Sequence, residues 1–218
     1  MKALTKVVSK TEEGAWLSVY VPDFKQVENY YDGNGLAYVD LQMLDKRMIS
    51  PDQRKKWFAL VGDISIYTGY PTDYLHNAFK YMYQMYFEFD EIISMGNTNM
   101  TTAKEMINFL LEWCFDNEIP LAKDTGHLFQ GEELWTYGCF KNRICVVCGK
   151  HADRHHVLGS KVGMGNNRNK ISNVGREFLP LCRVHHNEIE AGSEIEYCNK
   201  HHLKPIKLTE KQCEELKL

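Results

Sequence analysis

CVVCGKHADRHHV, residues 145–157, and LCRVHHNEIEAG, residues 181–192, are the two stretches on which the reading of this chain turns. Cys145 and Cys148 carry the two-residue gap that lets both thiolates reach one tetrahedral zinc. After 33 intervening residues, Cys182 and His185 repeat the same gap. A lone C-x-x-C is a weak signal, but a paired one with a histidine predicts a Cys3His structural zinc site made of Cys145, Cys148, Cys182 and His185. Cys114, Cys139, Cys198 and Cys213 then remain as thiols.

Removing those ligands leaves His155, His156, His186 and Glu190. Residues 183–191 read as a short helix, on which neighbours diverge by about 100° around the axis. His185 and His186 therefore do not easily share one ion. His186 and Glu190 are four apart and lie on one face, whereas the residue four after His185 is Ile189, which ligates nothing. That favours His185 for the zinc and His186 with Glu190 for a second metal. Because Cys182 is also four before His186, the swapped assignment stays open if the helix is regular from Cys182. Adjacent histidines on a strand point to opposite faces, so His155 and His156 should have different tasks. One imidazole offered to an ion and one offered to a water is the chemistry of metal-assisted phosphodiester hydrolysis.

This arrangement, C-x-x-C, then DRHHV, then LCRVHHNEIE, resembles the HNH endonucleases, whose ββα-metal fold clamps a catalytic divalent ion between two strands and a helix. The resemblance runs over roughly Cys145–Gly192. It implies His156 as general base, His155 as the preceding metal ligand and His186 as the helix ligand, with Glu190 where relatives carry a second histidine. A carboxylate there suits Mg2+ or Mn2+, with Zn2+ or Ni2+ as alternatives. The family's asparagine, which orients the base, is expected nine residues before the helix histidine, where this chain has Glu177. Asn173 is the near alternative through a longer loop, and a weak or inactive nuclease is the other consequence of the departure.

The N-terminal part reads differently. GAWLSVYV and GLAYVDLQM have partly alternating β-branched and aromatic residues around the turn YYDGNG, which predicts an antiparallel strand pair. SPDQRKKWFALVGDISIYTG starts a helix with Ser50 as N-cap and Pro51 at its first position, and puts Trp57, Leu60, Val61 and Ile64 on one stripe. A second helix is expected from about Thr72. A third is expected from a Thr101 or Thr102 cap to Pro120, with Met106, Phe109, Leu110 and Trp113 at core spacing. The rings of Tyr81, Tyr83, Tyr86, Phe87 and Phe89 are expected mainly as helical core, with base stacking as the alternative. DTGHLFQGEELWTYG, punctuated by glycine, reads as a connector with a boundary near residue 135. The run Gln53-Arg54-Lys55-Lys56-Trp57 followed by Leu60-Val61-Gly62-Asp63 is similar to the Orf (NinB) recombination mediators of lambda-type phages, over about Ser50–Leu121. That resemblance implies a homodimer that binds single-stranded DNA and works with single-strand binding protein.

The predicted class is therefore α+β: an N-terminal strand pair plus helices, Orf-like, in residues 1–134, followed by a small zinc-stabilised ββα-metal HNH domain in residues 135–218. A composition of 44% hydrophobic and 25% charged residues is that of a globular chain long enough to bury a core. No run of about 18 apolar residues occurs, so no membrane partner is expected. Glu12 and Glu13 stand where a secretory leader needs an apolar block. A reducing cytoplasm, that of a bacterial host for a phage protein, is the expected location.

The net charge of -3 conceals a split. Through Trp135 there are 12 basic and 20 acidic residues, and from Thr136 onward 14 and 9. The Cys/His segment thus lies in the positive part, which suits a phosphate-rich partner, although such charge also solubilises a surface. Candidate DNA contacts are Arg54, Lys55, Lys56, Lys161, Arg168, Lys170 and Arg176. The reading is a recombination protein that binds single-stranded or branched DNA and nicks it. A non-catalytic mediator with a zinc-stabilised binding module, or a free-standing homing or restriction nuclease, are the alternatives.

Overall fold

A computed structural model of the chain describes residues 4–20, 34, 47–88, 93–157, 159–160 and 172–218. The expected strand at 35–43, all of the turn at 30–35 except Asn34, Phe89, Lys161, Arg168 and Lys170 lie outside the described residues. The chain divides into two compact units, Met1–Leu44 and Asp45–Leu218. In the first, β1 (Leu4–Lys10) pairs antiparallel with β2 (Ala15–Tyr20), from Leu4 opposite Tyr20 to Lys10 opposite Ala15. The Thr11 N–H donates to the Gly14 carbonyl at 2.8 Å and closes the turn. The expected strand in GAWLSVYV is present, and its described partner is the preceding segment, whose Thr5, Lys6, Val7 and Val8 favour extended backbone.

The second unit begins with three helices, α1 (Pro51–Thr68), α2 (Thr72–Phe87) and α3 (Met100–Asp116). Ser50 caps α1 in a reciprocal box with Gln53, and Trp57, Leu60, Val61 and Ile64 form the buried stripe that the sequence predicts. Tyr83 is buried in the core, whereas Tyr81 and Tyr86 are exposed on the outer face of α2. The cap of α3 is Asn99 rather than a threonine, because the Asn99 side-chain oxygen Oδ1 accepts the Thr102 N–H at 2.8 Å and starts the helix two or three residues earlier. The helix ends at Asp116, ahead of Pro120.

The expected connector is instead two helices, α4 (Lys123–Leu128) and α5 (Glu133–Lys141), each with one buried side. Its glycine content misleads because Gly138 serves close packing rather than a turn. A Cβ there would come within 2.1 Å of the Phe115 ring. Asp63, buried on α1, accepts the Ala122 N–H at 2.9 Å at the start of α4 and ties the two helices together. Position 135 falls inside this unit, where Trp135 is buried with its ring 5.6 Å from that of Phe115.

The remaining chain forms an antiparallel sheet in the order β3 (Asp153–His156), β4 (Glu177–Leu181) and β5 (Ile206–Lys207), with α6 (Arg183–Ala191), α7 (Glu194–Lys200) and α8 (Glu210–Glu215). His155 pairs with Leu179 and His156 with Phe178. Pro180 is tolerated in the middle strand because β5 pairs only with Glu177 and Phe178, so no donor is needed there. One hydrophobic cluster runs from Ile49, through α1 and α3, to Leu179, Leu181, Ile189 and Leu203. A second joins Phe140 and Phe178 to Ile206, Leu208 and Cys213. The sheet that carries the histidines is thus packed on a helical floor.

Candidate metal centres and active site

The first centre is built on a turn and a helix start. Gly149 follows Cys148 with φ 72°, in the left-handed region that glycine enters without strain, and its N–H donates to the Cys145 carbonyl at 2.8 Å. The Val146 N–H donates to the Pro180 carbonyl at 3.0 Å, which fixes the turn against β4. Cys182 closes β4 and stands at the N-cap of α6, one helical turn before His185. His185 Nδ1 lies 3.3 Å from Cys145 Sγ and 3.2 Å from Cys182 Sγ, and the Cys148 and Cys182 sulfurs are 3.7 Å apart. Four ligands of tetrahedral zinc, at about 2.3 Å for sulfur and about 2.0–2.1 Å for nitrogen, are spaced roughly 3.6–3.8 Å apart. The donor set and its spacing fit that ion. Burial pushes the Cys145 thiol up to about 12. Burial also raises Cys182, but N–H groups of His185 and Val184 and the thiols of Cys148 and Cys145 together bring it below the ordinary thiol range.

The second centre stands between β3 and the same helix, α6. His155 is buried at 2% exposure, and its ring meets the His186 ring edge-on with centroids 4.5 Å apart. His186 Nδ1 is 3.5 Å from Glu190 Oε2, as their four-residue spacing on α6 requires. One donor atom from each of His155, His186 and Glu190 falls within 4.8 Å of the others. Ligands of an ion bound at about 2.0–2.1 Å in octahedral geometry lie within that span. The geometry thus groups His185 with the cysteines and His186 with His155, against the swapped arrangement.

His156 points to the opposite face of β3, with its ring 4.4 Å from Phe178. Glu177, at the position where the asparagine is expected, begins β4, and its carboxylate lies 3.4 Å from Lys207 Nζ on β5. Strand alternation sends it to the face away from Phe178 and therefore away from His156. Asn173 is half-buried in the loop ahead of β4, where its carbonyl accepts the Arg176 N–H at 3.2 Å.

Several predicted DNA contacts have other work. Arg54 donates to the carbonyls of Met95 and Gly96, and Lys56 pairs with Glu132 and lies over the Phe129 ring. Lys55 is exposed. The Arg176 guanidinium donates to the Ser172 carbonyl at 2.9 Å and the Ser160 carbonyl at 2.7 Å, so it links these two residues.

Two residues near the site were not singled out by sequence reasoning. Arg154, two before His156 on the same strand face, holds its guanidinium 5.1 Å from the Phe140 ring centroid. The signal for it was the strand alternation already used for the histidines. Glu194, the first residue of α7, is buried at 3% exposure with Oε1 3.7 Å from His155 Nε2. It lies eight residues beyond His186, past the break at Gly192, where no helical spacing extends.

A family model described as "Putative HNHc nuclease" matches residues 23–218. The chain belongs to the HNHc nuclease family. That membership implies nuclease activity, a nucleic-acid partner and dependence on a metal, for which this HNHc protein has a Cys3His cluster and a second His/Glu cluster. No curated protein and no solved structure matches it. Among the described residues, no helix is long and apolar enough to cross a membrane.

Proposed function

We propose that this HNHc protein is a divalent-metal-dependent endonuclease that nicks single-stranded or branched DNA, with His156 as general base. The division of one short strand carries the reading. His155 faces His186 and Glu190, while its neighbour His156 faces the other way beside Phe178. His155, His186 and Glu190 hold Mg2+ or Mn2+, which when bound supplies positive charge to the phosphate and the leaving oxygen. His156 takes a proton from the attacking water at a ring nitrogen. Asn173 orients that imidazole in place of Glu177, whose carboxylate lies beside Lys207. Arg154 offers its guanidinium to the phosphate on the face of His156. Cys145, Cys148, Cys182 and His185 hold zinc as a structural staple joining the turn, β4 and α6.

For the helical part we carry forward the likeness to the Orf mediators: a homodimer acting on recombination intermediates with single-strand binding protein, in a bacterial cytoplasm. Its motif positions have structural tasks that suit a stable platform. Gln53 donates to the Met100 carbonyl at 2.8 Å, Trp57 donates to His76 at 2.7 Å, and Asp63 holds the start of α4. DNA contacts fall to Lys55, Lys161, Arg168 and Lys170 more than to Arg54, Lys56 or Arg176.

A second reading, a binding mediator without cleavage, draws support from Glu177, which leaves the usual asparagine position without an amide. Incubating the zinc-loaded protein with single-stranded and branched DNA in Mn2+ or in EDTA separates the two. Nicks that need Mn2+ support the nuclease. Salt-sensitive binding without any nick supports the mediator.

A further inference from the structure

We propose that the outer face of α2 is the surface on which a second copy of this chain docks, the two α2 helices lying antiparallel across a two-fold axis; this rests on the homodimer reading above. Leu75, Phe79 and Tyr83 give α2 its buried face and join the core cluster. A second apolar row runs along the helix on another side. Tyr74, Ala78, Tyr81 and Met85 are spaced four, three and four residues apart, the seam spacing of a two-helix coil. At about 100° per residue they fall within roughly 60° of the helix surface, turned away from the core row.

Three features select a second copy as the occupant. The row is self-complementary when the axis passes between Phe79 and Lys80. Tyr74 then meets the partner's Met85 and Ala78 meets the partner's Tyr81, so each layer sets a large ring against a small or pliable side chain. A parallel pair would instead set tyrosine against tyrosine and alanine against alanine, crowding one layer and hollowing the next. The positions beside the seam, Asn77 and Gln84, are uncharged, so no like charges oppose each other across it. The exposed area also suits a dimer. Tyr74 is 59%, Tyr81 63%, Met82 41% and Met85 63% exposed, with Tyr70 at 57% and Tyr86 at 74% toward the two ends. At about 200 Å2 per side chain this is roughly 700 Å2 per copy, close to the about 800 Å2 that each partner gives to a standard interface. Single-stranded DNA also stacks on tyrosines, but it needs cations along the rings, and on α2 Lys80 is balanced by Asp73.

Analytical ultracentrifugation of the full-length, zinc-loaded protein tests this. Wild type is expected to be a dimer. Tyr74→Lys and Met85→Glu are each expected to weaken dimerisation at least about 30-fold, with unchanged Tm and zinc content. Mixing the two variants should restore a heterodimer, because the antiparallel register brings the new ammonium to the new carboxylate and keeps the native contact of Tyr74 with Met85 in the matching layer. Variants that stay dimeric would overturn the surface and leave the homodimer reading standing. Monomeric variants that do not combine would overturn the antiparallel seam. A monomeric wild type would remove the homodimer reading and the surface with it, and loss of oligo(dT) binding in Tyr81→Ala would then assign the row to base stacking.

Discussion

His155 and His156 are consecutive on β3, yet their rings meet different neighbours, His186 at 4.5 Å for the first and Phe178 at 4.4 Å for the second. Strand geometry forces this separation. It gives two imidazoles of one type two environments, one buried in a ligand cluster and one half-exposed on the other face.

Cys182 links β4, α6 and the Cys3His cluster, so its loss should be felt in the fold. Cys182→Ser is expected to lower bound zinc from about one per chain toward none and to destabilise the protein by several kcal/mol, since structural zinc contributes directly to folding. Metal analysis and thermal unfolding with and without EDTA check this. A mutant that keeps both its zinc and its Tm would remove the site.

Gly138 permits the contact between α5 and Phe115. Gly138→Ala should destabilise by about 1–3 kcal/mol in urea unfolding, as overpacking does. Adding Phe115→Leu should recover part of that loss. An alanine variant as stable as wild type would mean that the close approach is not a constraint.

Glu177 lies beside Lys207, and a partly exposed pair of this kind contributes at most about 1 kcal/mol. Glu177→Ala is therefore expected to leave the nicking rate within about twofold and to have a small effect on stability. Asn173→Ala should slow nicking about 10–100-fold if it orients the base. The reverse pattern would return the orienting role to Glu177.

Burial raises the Cys114 thiol to about 12 and raises Cys139 well above its ordinary value. Below about pH 7.5 both remain protonated in the folded and unfolded states, so they add no pH dependence there. As pH rises further, the unfolded thiols ionise first and stability falls. Alkylation of these two thiols at pH 7–9 should track global unfolding, measured by mass spectrometry. Fast labelling in native conditions would contradict their burial.

How much of this was legible in the sequence follows from what kind of signal each residue left. The ligand spacings in Cys145–Cys148, Cys182–His185 and His186–Glu190 are local, and the structure brings each set together. The caps and apolar stripe of α1 are also local, as is the alternation of His155 and His156. Gly126 and Gly138 were read as loop punctuation because composition does not distinguish a turn glycine from one pressed against a ring. For Arg54, Lys56 and Arg176 charge shows in a sequence, whereas the intramolecular partners that the structure gives them do not. Glu194 left no pattern, since its approach to His155 depends on the direction in which α7 leaves Gly192.

The most direct test compares His155→Ala with His156→Ala in the zinc-loaded protein, with Mn2+ affinity and DNA nicking measured on the same preparations. The account predicts that His156→Ala binds Mn2+ like wild type and nicks at least about 100-fold more slowly, a typical loss for a general base. His155→Ala should lose both binding and nicking. Nicking by His156→Ala at the wild-type rate, or equal loss of Mn2+ from both variants, would contradict the division of tasks between the two histidines.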